Sequence, residues 1–552
     1  MIGIKNERIK LIETVLISFL FCFACFITLK VHYETNDDTY MNLIAAGAFG
    51  KDSQYLLWIN ILYGYILKGF YLLLPAVNWY LVFMLAMNAL SIAVITYCIV
   101  SRMDSSVVLI VAIIANIILA KDFYVELNFT KTAGICAIAG CLLLVEALKK
   151  QDSLLSSISV LLLFLAVAQR YLCVVMLFPF FVAYFVYCLL EKEIAWKNRH
   201  MVSSILVLVL GLAVLIGADS IAYSNAEWKN VKPTISELSK IVDYGMIHYD
   251  AKANEYQSVG MSKEVTEMIN HVLVADTDTI TAELLKNSYA IEKEISGNGL
   301  SLSEDAFNKL GNRLNIAFSE HSLPVISLVL ACMLIVIGRK QQVILVLGNA
   351  LLVFAEYWYM ACKGRVLWRV EVSIWIVVIS VTLMLLKREL HSLNRDSITR
   401  KFSIACSVVF VLGMLFYMDA EWRSKDRYVT YNQNSSIEFI QSTRKDAGYY
   451  VGLELDPVPN VYKISKTNYQ DYFSHYGVIG SWMCIMPNVK DAFVKAGISN
   501  PVRALIERDD VFYVGSEEDA TRVCNYLQYV NHATYYLEQI DEKYEKAVWK
   551  IK

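Results

Sequence analysis

Charge is scarce in this chain. Asp, Glu, Lys and Arg supply 18% of its 552 residues, against 57% hydrophobic residues and a mean hydropathy of +0.45. A soluble protein of this length carries far more charge, so that class is excluded. The sequence lacks a Walker phosphate loop and a dinucleotide fingerprint, which argues against an ATP-driven pump. Its eight histidines are scattered without metal-ligand spacing, so no structural metal and no cofactor is expected, with a divalent cation left open. The one Cys-x-x-Cys match, Cys22 to Cys25, lies in an apolar run without a second pair. Internal repeats, common in transporters, are missing, as are low-complexity tracts. The net charge of −2 points to no particular partner, and no nucleic acid is expected.

Long apolar runs are what the chain has in abundance. Runs of about 17–25 residues match the length of a helix crossing a bilayer, and helices satisfy their own backbone there. Roughly eleven spans are expected: 11–31, 78–100, 106–120, 132–148, 154–168, 172–190, 201–221, 323–338, 342–361, 371–386 and 402–419. Lys5, Arg8 and Lys10 precede the first run, and no small-residue cleavage site follows it, so it reads as a retained helix. Clusters at Arg102, Lys149–Lys150, Lys192, Arg339–Lys340 and Lys387–Arg388 then fall on the amino-terminal side of the membrane. By the positive-inside rule that side is cytoplasmic. Most of the twelve cysteines sit inside spans as small apolar residues, while a disulfide between Cys484 and Cys524 in the tail is open.

The expected fold is an all-α polytopic membrane module, residues 1–419, with outer loops 32–77 and 222–322. Residues 420–552 read as a small extracytoplasmic α/β domain, with strands at Tyr449–Leu455, Val511–Val514 and Ala547–Ile551. Its amphipathic helices are expected at Ser435–Thr443 and Ser516–Tyr529. Residues 55–74 are apolar enough to span, yet counting them would reverse the charge bias. They read instead as a juxtamembrane helix broken by Gly64 and Gly69 and ended by Pro75, beside a second at Asp38–Gly50.

Two carboxylates, Asp37 and Asp38, open that second helix just past the first span. Against the positive-inside rule, Lys121, Lys131, Arg170, Lys363, Arg365 and Arg369 fall at the outer ends of several helices. A solvated cap is the plain reading of Lys121. Arg170 stands in a very short turn between two apolar runs, and Arg365 and Arg369, four apart, would share a helix face. Ionisable groups beside lipid usually face a cavity or a partner, and guanidinium suits phosphate oxygens. An acceptor hydroxyl attacking a sugar carbon needs a base, and a lipid-phosphate leaving group needs cations. Asp37 fits the base, and Asp38 fits a group that orients it or binds the acceptor.

The run Asn36-Asp37-Asp38 with Tyr40, Gly47, Asn60, Gly64, Pro75 and Asn78-Trp79-Tyr80, then Asn128-Phe129-Thr130 and Gly364-Arg365 with Arg369, resembles the GT-C glycosyltransferase superfamily. More narrowly, it looks like bacterial glucosyltransferase-II-type and related membrane proteins of surface-polysaccharide clusters, over roughly residues 10–420. The resemblance implies a polyprenyl-phosphate-linked sugar donor, Asp37 as catalytic base, and Arg170 and Arg365 as donor-phosphate contacts. It also implies residence in the bacterial cytoplasmic membrane, the amino terminus inside and the tail outside, among membrane lipid.

The expected activity is therefore inverting transfer of a sugar to a surface glycan, its lipid-linked precursor or a teichoic-type polymer. Arg170, Arg365, Arg369 and Lys121 are the candidate phosphate groups. Tyr40, Glu356, Asp243 and His248 are candidates for the pocket or the acceptor. For Glu356 a snorkelling interfacial carboxylate is the plain alternative, and Tyr357-Trp358-Tyr359 reads first as an aromatic belt. Asn88 reads as a helix–helix contact. The rival functions are a polysaccharide polymerase or ligase using a lipid diphosphate, a non-enzymatic lipid-glycan transporter, and an inactive scaffold.

Overall fold

The computed structural model describes residues 2–101, 105–195, 199–296, 304–393, 435–453 and 461–552. The chain runs through α1 (Ile2–Thr28), α2 (Asn36–Ala45), α3 (Ile61–Leu73), α4 (Trp79–Val100) and α5 (Ser105–Ala120). A π-helical turn, Lys121–Val125, leads to α6 (Phe129–Lys150), α7 (Ser153–Leu190) and α8 (Arg199–Ala222). Among the described residues eight helices are long and apolar enough to cross a membrane. The number is nine if α13 (Glu304–Glu320) and α14 (Ser322–Ile337), which meet at 93°, make one span. The expected span at 402–419 lies outside the described residues.

The 38 residues of α7 would reach about 57 Å as one straight helix, well beyond a bilayer core. Its hydrogen bonds show that it folds back on itself. Ser159 bonds Gly140 O on α6 (2.8 Å), Arg170 bonds Thr130 (3.1 Å), and Tyr184 returns to Lys149 (3.2 Å). The reversal is made at Arg170 alone, whose backbone is extended (φ −162°, ψ 95°). The two apolar runs expected at 154–168 and 172–190 are thus two antiparallel arms, both packed on α6. That helix is 89% buried and forms the centre of the bundle, whereas α8, 11% buried, stands at its rim.

The bundle has two unlike ends. At one, Lys150 pairs with Glu7 (2.8 Å) and Lys149 with Glu193 (2.9 Å), tying α1, α6 and the end of α7 together. At the other end lie α2, the turn at Arg170 and the turn between α15 (Lys340–Cys362) and α16 (Trp368–Leu393). There β1 (His32–Tyr33) pairs in parallel with β2 (Glu126–Leu127), which brings the start of α2 against the start of α6.

Three local expectations are corrected. Residues 38–45 of α2 are all buried, so this helix is part of the core rather than a surface helix, and it ends at Ala45, short of Gly50. Helix α3 begins at Ile61 and runs unbroken through both glycines. Gly64 is there for contact, because a Cβ would sit 2.0 Å from Gln54 O. Arg365 precedes α16, in a turn where Gly364 has φ +71°, so Arg365 and Arg369 do not share a helix face.

The described residues of the outer segment 222–322 are largely helical, through α9 (Trp228–Tyr244), α10 (Ala253–Ser258), α11 (Lys263–Asn270), α12 (Ala282–Ser296) and α13. The tail carries a five-stranded sheet made of β3 (Tyr449–Gly452), β4 (Tyr476–Val478), β5 (Val511–Val514), β6 (Leu537–Lys543) and β7 (Lys546–Ile551). The order is β4-β3-β5-β7-β6, with the first three strands parallel and the rest antiparallel. Two strands had no sequence signal: β4 has three residues, and β6 is an exposed, charged edge strand without apolar alternation. Cys484 and Cys524 are free thiols, so the possible disulfide is absent.

The tail is fastened to both outer segments. Buried Asp276 accepts from Asn500 (2.8 Å), Tyr526 (2.8 Å) and Arg503 (3.3 Å), locking residues 222–322 onto it. Lys466 pairs with Asp52 (3.0 Å), Asn78 donates to Val461 O (2.6 Å), and Phe473 stacks on Phe49 (4.4 Å), fixing it over the first loop.

Candidate active site

Asp37 and Asp38 occupy the first turn of α2, where the unpaired backbone N–H groups of a helix favour negative charge. Successive helical residues point about 100° apart, and the two carboxylates accordingly meet different surroundings. Asp38 is fully buried. Its Oδ1 accepts from Tyr80 OH (2.8 Å) and Phe129 N (3.1 Å), its Oδ2 from Asn128 Nδ2 (3.1 Å) and Thr35 Oγ1 (3.4 Å). One carboxylate thereby ties α2 to α4 and to the cap of α6, since Asn128 also caps α6 through Thr130 N (2.9 Å). Burial pushes its carboxyl up to about 8, against the pull of the Tyr80 and Phe129 hydrogen bonds.

Asp37 is partly exposed and has one strong partner: Trp482 Nε1 donates to its Oδ1 at 2.8 Å. Burial raises its carboxyl above the usual range, while the Trp482 bond and the charges of Arg369 and Arg170 draw it down. Asp243 adds a repulsion that raises it further. The structure therefore brings Asp37, Arg170, Arg369 and Asp243 together from α2, α7, α16 and α9. Arg365 joins them through an ion pair with Asp243. Arg170 is oriented by Thr130 and by the face of Phe129, 5.0 Å from its guanidinium carbon. Arg369 has no hydrogen-bond or ion-pair partner among the described residues, which leaves its fork free for an anion.

The remaining candidates fall elsewhere. Lys121 is buried in the π-helical turn beside Asp122. Lys131, also an outer-end cation, is enclosed by Glu34 (2.8 Å), Asp122 (2.8 Å) and Glu126 (4.0 Å), so its charge is already neutralised. His248 is held by Glu292 through its ring (2.8 Å) and its backbone N–H (3.0 Å). Glu356 is partly exposed on α15 with no partner among the described residues. Its neighbour Tyr357 is no belt residue: it is fully buried and donates to Glu371 (2.5 Å). Asn88 donates to Phe123 O (2.7 Å), a contact between α4 and the π-helical turn.

Three features escaped sequence reasoning. Glu371, fully buried, is gripped by Arg313 Nε (2.8 Å) and Nη2, which anchors α13 to α16. Its signal was available, because a carboxylate inside an apolar span marks a partner. Trp482 had none: it lies in a short 3-10 turn of the tail, with nothing local to distinguish it. Neither had Trp58, whose ring meets Trp482 edge-on at 5.8 Å. Buried Tyr40 flanks Trp482 from the other side at 6.2 Å. No protein-family model and no curated protein matches this chain.

Proposed function

We propose that this chain is a GT-C-type membrane glycosyltransferase that moves a sugar from a polyprenyl-phosphate donor to a hydroxyl of a surface glycan or lipid-linked acceptor. The observation that carries this reading is the meeting of Asp37 with Arg369 and Arg170 at one end of an apolar helical bundle, beneath the tail. Asp37 accepts the proton of the acceptor O–H while that oxygen attacks the sugar's anomeric carbon. The bond from that carbon to the phosphate oxygen breaks with inversion, and polyprenyl phosphate leaves with its electron pair. Arg369 and Arg170 meet the charge that develops on it, the kind of stabilisation that is strongest away from bulk water.

Two further features support the reading. The second arm of α7 leaves Tyr171, Val175, Phe178 and Val182 exposed on one face, beginning next to Arg170, so a lipid tail can extend from a phosphate held there. Asp38, by its buried hydrogen bonds, holds the turn that aims Asp37. On this reading the membrane is the bacterial cytoplasmic one, with the tail outside and about eleven spans, the arms of α7 counted separately.

The test is Asp37→Asn in proteoliposomes supplied with candidate polyprenyl-phosphate sugars. Transfer should fall by about 10²–10⁴-fold, the usual worth of a positioned base, with thermal unfolding unchanged. Near-normal transfer by the variant sinks the assignment of the base.

A further inference from the structure

Asp37 and Arg369 stand on segments that one buried cluster ties together. Asp37 lies three residues after Glu34, and Arg369 directly follows Trp368 at the start of α16. Between Glu34 and Trp368 stand only two side chains. Lys131 Nζ reaches Glu34 Oε2 (2.8 Å) and Asp122 Oδ1 (2.8 Å), and Trp368 Nε1 donates to the same Asp122 oxygen (2.9 Å). The series Glu34, Lys131, Asp122, Trp368 thus joins the segment that carries the carboxylate to the segment that carries the cation.

Both ends of this series are fixed. Glu34 N donates to Leu127 O (2.8 Å), continuing the pairing of β1 with β2. Trp368 is covered by His321, the ring centroids 3.4 Å apart and the planes parallel within 2°. Two residues beyond Arg369, Glu371 is held by Arg313 Nε (2.8 Å) and Tyr357 OH (2.5 Å). The first turn of α16 is therefore gripped before and after Arg369.

The middle of the series calls for a reason. Lys131 is fully buried and Asp122 nearly so. A buried ion pair is a poor source of stability, because taking both charges out of water costs about as much as their attraction returns. A fully satisfied buried polar network does, however, specify one arrangement of the elements it joins. Transfer is least tolerant of error in the placement of its reacting groups, where about 1 Å can cost on the order of 10²-fold in rate. We infer that Lys131 and Asp122 are positioning residues, a buried strut that sets the separation of Asp37 from Arg369. This role rests on the proposed function, and it gives a task to two buried charges that the reaction itself leaves unused.

Two variants break the strut without leaving a fully buried charge alone. Trp368→Phe removes the N–H, keeps a ring on His321 and alters no charge. Lys131→Met combined with Asp122→Asn removes both charges and keeps an acceptor for Trp368. The whole protein in lipid nanodiscs is treated with a carbodiimide, which reacts with protonated carboxyls, and the adduct on Asp37 is followed by mass spectrometry across pH. Arg369→Gln calibrates the response: it should move the pH of half-labelling upward, because a charge that draws the carboxyl down is gone. Both strut variants should move it in the same direction by a smaller amount. In proteoliposomes both should lower kcat for transfer by about 10–10²-fold with KM nearly unchanged.

A labelling midpoint that stays put in both strut variants overturns the strut, as does a loss confined to KM. No shift in Arg369→Gln overturns it too, since Arg369 then does not act on Asp37. Loss of transfer in step with a lower thermal midpoint in both strut variants makes the cluster a merely structural one and has the same consequence. A wild-type protein that transfers no sugar while the labelling shifts appear keeps the strut and loses the proposed reaction.

Discussion

Trp482 donates to Asp37 across 445 positions of sequence, at 2.8 Å. The tail therefore completes a site whose other members come from the helical bundle, and the state of Asp37 depends on the tail being docked.

That bond stabilises the ionised carboxylate, as do Arg369 and Arg170, while burial and Asp243 oppose it. A base with a raised pKa loses its proton-accepting form at higher pH than an ordinary carboxylate. The acid limb of kcat/KM for transfer should accordingly lie above the usual carboxylate range. Trp482→Phe should move it higher still, because a stabilising hydrogen bond to the anion is gone. A profile that does not shift would remove Trp482 from any role in setting Asp37.

Arg369 and Arg365 should differ in their consequences. Arg369 makes no hydrogen bond or ion pair among the described residues, whereas Arg365 is occupied by Asp243. Arg369→Gln should lower kcat/KM by about 10²–10³-fold, the typical loss for one donor to a developing anion. Arg365→Gln should cost less, and Arg369→Lys should recover part of the rate as a point charge. Steady-state kinetics on the three variants decides this; equal losses for the two arginines contradict it.

Asp38 is a structural hinge point of the site. Asp38→Ala leaves Tyr80 OH and Phe129 N buried without an acceptor, at about 1–3 kcal/mol for each. The thermal midpoint should fall sharply. Wild-type stability should also depend on pH in a definite direction. A carboxyl raised to about 8 when folded binds its proton more tightly than in the unfolded chain. Its contribution is full below the ordinary carboxylate value and is lost as pH rises through about 8. The midpoint should decline over that window, and Asp38→Asn should flatten the decline. A midpoint that rises over the same window contradicts the assignment.

Asp276 is the fastener between residues 222–322 and the tail. Asp276→Ala leaves the buried Tyr526 OH without its acceptor and removes the ion pair of the part-exposed Arg503, a loss of about 1–3 kcal/mol. Limited proteolysis should then cut between the tail and the bundle sooner than in wild type, and transfer should fall with it because Trp482 no longer reaches Asp37. Unchanged protease resistance means that other contacts, such as Lys466–Asp52, hold the tail unaided.

Composition alone pointed to apolar helices long enough to cross a membrane, and eight such helices are present among the described residues. The acidic pair at a helix start, the reversal near Arg170, three of the tail's strands and two of its helices were also legible, because each is written in neighbouring residues. What local sequence does not contain is burial. Asp37 and Asp38 are chemically identical neighbours, and only the approach of Tyr80, Asn128 and Phe129 made one of them a buried hub. Lys131 and Arg369 both read as outer-end cations, yet three carboxylates enclose the first and none among the described residues binds the second. Trp482 joined the site because the tail's docking contacts carry it there, and its own surroundings in sequence hold no trace of that. Periodicity and charge are properties of adjacent residues; a site is a property of which distant residues exclude water together.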